Sequence, residues 1–595
     1  MERSSVLRWG VIAIALFLFY KFGWPLISGQ SDKAQTIAAV EAPILSSPDF
    51  ALDAIDAPAK PGDPSPPPPP EGEVCKIKGN RFEAELSSRG AAITHFWQTD
   101  PNYARSEAHD LSTTNHERWR SLRTVFRGKD ADSQVKYDRF PWKLERGEGS
   151  EGGKSCKFTF EDQDVRIVKT VAAHPTRPFE LTVDTSVTNL ASTPKRHQLT
   201  VANYAFRKNS EIKGSLGKVS PFQTELSCAA GKDVQRKAKD DFKSGLFTVA
   251  GVDRYAAVNS HYFSQALVPQ PGGGEGAVSD LPACGLLAEE WGLQPGASKE
   301  SDDAAAIYQA KLIYPAKELA AQQTATYRDI AFFGPKEREV LSHAAGGAPK
   351  LSELLNLGFF APVANVLVKI LDFIHDHVTF GNWGLAIIVM TICLRSLLFP
   401  LTYKSIKTTI AMRRLKPEVD TLNAKFADDA QAKNLAMMEL WKKHGVNPFG
   451  GCLPQLIQMP VWFAMYTTLQ TAVEMYHTKF LWFSDLSAPD KFYVLPLLLG
   501  FFMIVQQRIV PQQGMDPMQA KMMMYMLPAV FTVMMLFLPA ALGVYMLTNS
   551  LLGIGQQLAV ERIAPRDKGP GEIVVKEKGT PGKKSQSKAA ASSSS

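Results

Sequence analysis

An arginine lies inside a long apolar stretch in the last third of this 595-residue chain. Arg395 belongs to the stretch 383–403 and is eight residues from its end at Tyr403, which corresponds to about 12 Å along a helix. A charged side chain at that depth in a membrane costs about 2.5 to 3.5 kcal/mol or more, so it should face protein or a water-filled cavity. Thr391, one helical turn earlier, adds a hydroxyl to the same face. The pattern predicts an arginine that faces protein or a water-filled groove within the membrane.

An intramembrane ion pair is the alternative explanation for this arginine. The acidic candidates are Glu474 and Asp485, which flank a predicted outside loop, and Glu561 at the end of the last apolar stretch. Because these carboxylates lie at or beyond the membrane boundaries, the sequence favours an arginine in a water-filled groove over a paired one.

Further polar side chains occur at membrane depth on other apolar stretches. Two prolines, Pro454 and Pro460, leave backbone carbonyls without helical partners beside two glutamines. Methionines add flexible, polarisable surface that suits varied apolar partners. The predicted substrate groove therefore consists of Arg395, Thr391, Gln455, Gln458, Gln506, Tyr545, Met459 and Met526, with Gln507, Thr548 and Asn549 as additional polar groups nearby.

The elements that must position these residues are six apolar stretches, each long enough to cross a membrane. Their approximate bounds are 9–27, 383–403, 449–471, 492–510, 522–538 and 541–560. The first is interpreted as an uncleaved anchor over residues 1–29, with a cleaved signal peptide as the alternative. Basic residues concentrate in 404–444 and after residue 560, and Arg3 and Arg8 precede the first stretch. Both segments and the N-terminus are therefore predicted to be cytoplasmic. The overall net charge of +7 is too small in such a chain to indicate nucleic-acid binding.

The basic segment between the second and third stretches is predicted to be a cytoplasmic helical hairpin over residues 404–446. Apolar residues recur at helical spacing in 406–415 and 419–441, and Pro417 should break the hairpin between them. Its candidate contact residues for headgroups, ribosomal RNA or a targeting receptor are Lys404, Lys407, Arg413, Arg414, Lys442 and Lys443. A solvated segment whose charge only sets topology is the alternative.

Residues between the first and second stretches should form an outside domain. A Pro-rich linker over 30–73 precedes short alternating runs over 74–345, which predict a large antiparallel β-sandwich. Its GEGSEGGKS segment, residues 147–155, lacks phosphate-loop spacing. Cys75, Cys156, Cys228 and Cys284 allow three disulfide pairings, and free thiols remain possible. Residues 346–378 predict an amphipathic helix at the outer interface, or one packed on the β domain.

Several motifs together resemble one family. They are the segment NPFGGCLPQLIQMP at 447–460, Arg395 followed by Pro400, Leu401 and Thr402, the basic loop, and Asp516, Pro517 and Met518 before a Met-rich stretch. These motifs closely resemble the YidC/Oxa/Alb family of membrane protein insertases, in its Gram-negative form. One departure is that Tyr545 is followed by Met546, where the resemblance suggests an aromatic pair.

The resemblance implies a polytopic α-helical membrane protein of six transmembrane helices, five of them forming a core over 379–562, with a periplasmic β-sandwich and a basic tail over 563–595. It implies an insertase and chaperone of the inner membrane, not an enzyme, with a groove open to cytoplasm and lipid. Nascent membrane proteins and lipids would be its partners, with the Sec translocon, the ribosome and a targeting receptor. No cofactor, metal or small-molecule substrate is expected.

Two other functions stay open from the residues alone. A secondary transporter also places arginine in the membrane, although the clustered stretches lack paired halves with repeated broken helices. An envelope enzyme or sugar-binding protein could act through the β domain, although no catalytic constellation is present there. Removal of the β domain separates these cases, since an insertase should largely survive it.

Overall fold

The computed structural model describes residues 72–104, 109–113, 119–125, 141–149, 152–208, 211, 223–243, 245–272, 276–291, 305–347, 350–358, 360–426, 429–446, 453–509 and 521–563. The predicted N-terminal anchor, almost all of the Pro-rich linker and the basic tail lie outside these residues.

The first described region is a β domain. A small sheet, β1–β2–β3, consists of Val74–Gly79, Phe82–Ser87 and Ala92–Gln98. A five-stranded sheet consists of β4 Arg123–Val125, β10 Thr200–Lys208, β13 Phe247–Val249, β16 Ala283–Trp291 and β17 Ala305–Ile313, in the order β13–β16–β17–β10–β4. A short pair joins β9 Lys195–His197 to β18 Lys317–Leu319.

The largest sheet has nine strands in the order β12–β11–β14–β15–β19–β8–β7–β6–β5. Their bounds are β5 Lys143–Glu148, β6 Lys154–Glu161, β7 Val165–Ala173, β8 Glu180–Asn189, β11 Glu225–Ala230, β12 Asp233–Lys237, β14 Tyr255–Asn259, β15 Phe263–Pro269 and β19 Thr324–Pro335. The pairings between named strands that the structure describes are antiparallel, for example Val165 with Asn189 in β7 and β8. One face of this sheet packs on the five-stranded sheet, as in a sandwich.

Alternation of apolar and polar residues explains this packing. In β7, Val165, Ile167 and Val171 are buried, whereas Arg166 is exposed. Lys169 is an exception, because its ammonium group is buried and donates to the Thr124 hydroxyl at 2.9 Å and to the Leu122 carbonyl. Burial of such a charge requires these hydrogen-bond acceptors.

Two disulfides tie the β domain together. Cys75 in β1 is bonded to Cys156 in β6, and Cys228 in β11 is bonded to Cys284 in β16. The second bond connects the nine-stranded sheet to the five-stranded sheet. The structure thus selects one of the three pairings that the sequence left open.

The second described region is helical. Its helices are α1 Arg338–His343, α2 Ala361–His377, α3 Trp383–Leu397, α4 Phe399–Arg414, α5 Lys416–Lys425, α6 Ala430–Lys443, α7 Leu453–Thr471, α8 Val494–Ile509, α9 Leu527–Met535 and α10 Ala540–Ile563, with a π-helical turn Met522–Met526 before α9. Within the described ranges, no helix by itself has the length and apolar content needed to cross a membrane. The pair α3 and α4 meets that test jointly, across a 65° bend.

Two predictions about continuous helices are wrong. The stretch 383–403 is broken at Leu398, between α3 and α4. In the hairpin, the first break is at Leu415, just before Pro417, but a second break separates α5 from α6, where the sequence predicted continuous helix. Pro400 and Pro417 lie at the starts of their helices, where a missing N–H is tolerated.

Helix α2 packs on the helical region rather than on the β domain. Ala364, Leu367 and Leu371 belong to the buried helical cluster, whereas Val366 and Phe373 are exposed. The helix therefore has one face against protein and an apolar face left outside, as an interfacial helix has.

The β domain docks on the outer end of α7. Tyr476 lies among the rings of Tyr262 and Phe263, at centroid distances of 5.2 and 5.8 Å. The Arg338 guanidinium is 3.2 Å from the Glu474 carboxylate. The segment that follows α7 is thus held by Tyr262 and Phe263 of the β domain and by Arg338 of α1.

His261 contributes a pH-dependent contact to this docking surface. Its Nε2 is 2.8 Å from the Gln470 carbonyl oxygen, and burial, with Lys336 nearby, lowers the pKa of His261 to about 4. The unfolded chain therefore binds a proton between pH 6.5 and 4 that the folded chain does not. Through His261, the free energy of unfolding should be unaffected above pH 6.5 and should fall by up to about 3 kcal/mol as the pH falls to 4.

The measurement is the thermal unfolding midpoint of the wild type and of His261→Gln in detergent, from pH 7.5 to 4. We expect the wild-type midpoint to fall more steeply over that window than the midpoint of the variant. Parallel curves for the two proteins would contradict the assignment of this dependence to His261.

Candidate functional site

The position of Arg395 follows from the break between α3 and α4. Helix α3 begins after Asn382, whose side chain accepts a hydrogen bond from the Leu385 N–H at 3.0 Å, and it carries Arg395 in its last turn. Pro400 has no N–H with which to continue the helix, so the chain turns there. The guanidinium therefore projects from the end of one apolar helix, beside the start of another.

Neutral groups of α10 hold this guanidinium. Nε of Arg395 donates to Asn549 Oδ1 at 2.6 Å, and Nη2 donates to the Asn549 backbone carbonyl at 2.9 Å. Nη1 donates to Gln556 Oε1 at 3.4 Å, while Gln556 Nε2 donates to the Arg395 carbonyl at 3.3 Å. These bonds replace part of the hydration that the arginine gives up.

Helix α7 joins the same set of contacts. Gln458 Nε2 donates to Asn549 Oδ1 at 3.0 Å, so this oxygen accepts from both Gln458 and Arg395. We call Arg395, Gln458, Asn549 and Gln556 the arginine cluster. It connects α3, α7 and α10.

Helix α8 approaches the cluster through Gln506. The Ser550 hydroxyl donates to Gln506 Oε1 at 3.1 Å. A Cβ atom on Gly553 would lie 3.2 Å from Arg395 Nη2 and 3.3 Å from Gln506 Nε2. Glycine at this position thus lets both groups approach α10 closely, and a side chain there would require them to shift.

The remaining predicted groove residues make no hydrogen bond to Arg395 in the described part of the chain, although Tyr545, one turn before Asn549 on α10, lies close enough to interact with it electrostatically. Thr391 is buried and its hydroxyl donates to the Ile387 carbonyl of its own helix at 2.6 Å. Tyr545 is buried in the helical cluster, whereas Met459 and Met526 are 45% and 53% exposed. The side chain of Gln455 lies outside the described part of the chain.

The carboxylates that the sequence offered as partners for Arg395 are engaged elsewhere. Glu561 pairs with Arg413 at 2.9 Å and Glu474 pairs with Arg338. Asp485 accepts from the Ser487 hydroxyl at 2.7 Å. Within the described residues, no carboxylate forms an ion pair with Arg395.

The basic hairpin is attached to the core at its base. Arg413 Nη2 donates to the Ile509 carbonyl at 2.6 Å as well as to Glu561. Lys407 lies 4.7 Å above the ring of Tyr403. Lys404, Arg414, Lys442 and Lys443 are exposed.

The two arms α5 and α6 form the hairpin proper. Val419, Met437 and Leu440 make a small buried cluster between them. His444 Nε2 is 3.3 Å from the Glu418 carboxylate at the open end. The charged side chains are left on the outside of this pair of helices.

Sequence analysis missed Gln556 and did not place Asn549 among the groove residues. A usable signal was present, because the two residues are seven apart on α10 and so lie on one face, two turns from each other. Gly553 lies between them on that face. Polar residues and a glycine on one face of an apolar helix indicate that a polar side chain from a neighbouring helix packs against that face.

Two family models match the chain. One, described as "60Kd inner membrane protein", covers residues 373–567, and the other, "YidC periplasmic domain", covers residues 75–370.

Two curated relatives are both described as "Membrane protein insertase YidC". The chain is 36% identical to that of Anaeromyxobacter dehalogenans over 65% of this chain and 66% of the relative, and 30% identical to that of Geotalea daltonii over 95% and 100%. The alignments to the first relatives span just under two thirds of their length, 66% and 64%.

Among solved structures, one described as an active YidC insertase crystal structure with the first transmembrane domain resolved is 18% identical to the chain. It covers 83% of this chain and 94% of its own, with a TM-score of 0.34.

The two family models identify the helical region with an inner membrane protein and the β domain with its periplasmic domain. The match to the Geotalea protein, which covers 95% of this chain and all of the relative, assigns the chain to one family of such proteins. The chain belongs to the YidC family of membrane protein insertases. This family is not one of enzymes.

Gly553 provides a test of the close approach at the cluster. Gly553→Val should push against Arg395 and Gln506, and overpacking of this kind costs about 1–3 kcal/mol. Gly555→Val is the matched control, because a Cβ on Gly555 meets nothing within 4 Å. We expect a lower thermal unfolding midpoint for the first variant than for the second, and equal midpoints would refute the close approach.

Proposed function

We propose that this chain inserts membrane proteins by drawing acidic residues of a client segment toward Arg395. The observation that carries this proposal is a guanidinium in an apolar helical region whose hydrogen-bond partners among the described residues, Asn549 and Gln556, are neutral. A positive charge that remains uncancelled in a medium of low dielectric constant attracts anions much more strongly than one in water.

The groove would open to the cytoplasm and to lipid, and would be closed on the periplasmic side. Docking of the β domain on the outer end of α7 supports closure on that side. Water in the inner half of the groove would shorten the apolar path that a polar client segment must cross. No nucleotide is required.

The client helix would leave into lipid past α7 and α9. Met459 and Met526, on the α7 side and before α9, are exposed and could contact varied apolar side chains. Burial of the client helix at about 0.025 kcal/mol per Å² of apolar surface would supply the driving force.

The finer topology is part of the same proposal. Six spans would place both termini in the cytoplasm, with the bent pair α3 and α4 supplying the second span and continuing into the hairpin. The exposed basic residues of the hairpin would contact anionic headgroups, the ribosome or a targeting receptor. Nascent membrane proteins would be the substrates, and the Sec translocon a further partner.

Substitution of Arg395 tests the proposal with two clients that differ only in acidic residues of the translocated segment. Arg395→Lys should keep much of the activity because a point charge suffices. Arg395→Ala should reduce insertion of the acidic client by roughly tenfold and that of the neutral client much less. Insertion is measured by protease protection of the translocated segment.

The amount of each variant in the membrane is the control. If Arg395 had only a structural role, Arg395→Ala would impair both clients alike and lower the protein level. That outcome would remove the client-facing charge from the mechanism.

A further inference from the structure

Asn549 is the central residue of the arginine cluster. Its Oδ1 accepts from Arg395 on α3 and from Gln458 on α7, and its backbone carbonyl accepts a second bond from Arg395. One residue of α10 thus fixes the direction of the guanidinium and its distance from two neighbouring helices. Gln556 supports it two turns further along the same face.

A carboxylate at position 549 would meet the same donors. Both hydrogen bonds to the side chain use Oδ1, and in the described part of the chain the Asn549 side-chain N–H group makes no hydrogen bond. Bonds from a guanidinium to a carboxylate are stronger than bonds to an amide. Asparagine is therefore the residue that holds Arg395 without cancelling its charge.

We propose that Asn549 is a positioning residue that fixes Arg395 and, by its neutrality, keeps the positive charge available to acidic clients. The inference rests on the proposed function of Arg395 as a client-facing charge. Asn549 would thereby contribute to client specificity, because an aspartate at position 549 would form an ion pair with the guanidinium of Arg395 in place of the client's acidic residue.

The experiment compares Asn549→Asp with Asn549→Ser in the full-length protein. Asn549→Asp keeps the acceptors and removes the net charge of the pair, whereas Asn549→Ser loses acceptors and keeps the charge. Each variant is assayed with the acidic and the neutral client, alongside Arg395→Ala, and its membrane level and thermal unfolding midpoint are measured.

We expect Asn549→Asp to be at least as heat-stable as the wild type, yet to lose roughly tenfold in insertion of the acidic client. Its insertion of the neutral client should change little. Asn549→Ser should be less stable and should keep the larger share of the preference for the acidic client. If Asn549 had only a structural role, Asn549→Asp would insert the acidic client better than Asn549→Ser does, because aspartate preserves the contacts better.

The outcomes separate this inference from the function on which it rests. If Arg395→Ala affects the two clients equally, the proposed function fails. If Arg395→Ala discriminates between them but Asn549→Asp inserts both as the wild type does, the role of Asn549 is overturned alone. If Asn549→Asp is poorly expressed while Asn549→Ser is normal, the aspartate does not keep the hydrogen bonds that Asn549 makes. The inference then fails.

Discussion

A guanidinium in an apolar helical region, held by neutral groups and by no carboxylate of the described residues, is the constraint on which the rest of this structure depends. Burial of an arginine is costly, and the usual compensation is an ion pair. Here Asn549 and Gln556 accept hydrogen bonds from Nε, Nη1 and Nη2 of Arg395 with neutral oxygens. The charge is solvated by the protein but not cancelled, which is what attraction of an anionic group requires.

The neighbouring elements are arranged around that requirement. The break at Leu398 ends α3 one turn after the arginine, Gly553 lets α10 approach it, and Gln458 connects α7 to the same asparagine. Helix α7 is in turn held at its outer end by contacts between the β domain and Gln470 and Glu474. The β domain and the cluster therefore share one helix, which gives the large outer domain a mechanical connection to the site.

Some of this arrangement could be predicted from sequence and some could not. That Arg395 lies in an apolar helix follows from the composition of residues 383–397 alone. The spacing of Asn549 and Gln556 marks a polar face on α10, but that this face meets Arg395 is known only once α3 and α10 are seen to be neighbours. The bend at Leu398 was missed, since apolar content continues across Pro400 and hydropathy does not register a change of direction. In the β domain, alternation predicted antiparallel strands, whereas the disulfide pairing depends on contacts between distant strands.

The most direct test of this account is whether water reaches the arginine cluster from the cytoplasm only. In a chain with Cys393 and Cys452 replaced by serine, Gln458→Cys is treated with a membrane-impermeant maleimide in inverted and in right-side-out vesicles. Leu469→Cys, on the same helix and 1% exposed, is the control for a buried position. The account predicts that position 458 is labelled in inverted vesicles and protected in right-side-out vesicles. Labelling from the periplasmic side, or from neither side, would contradict it.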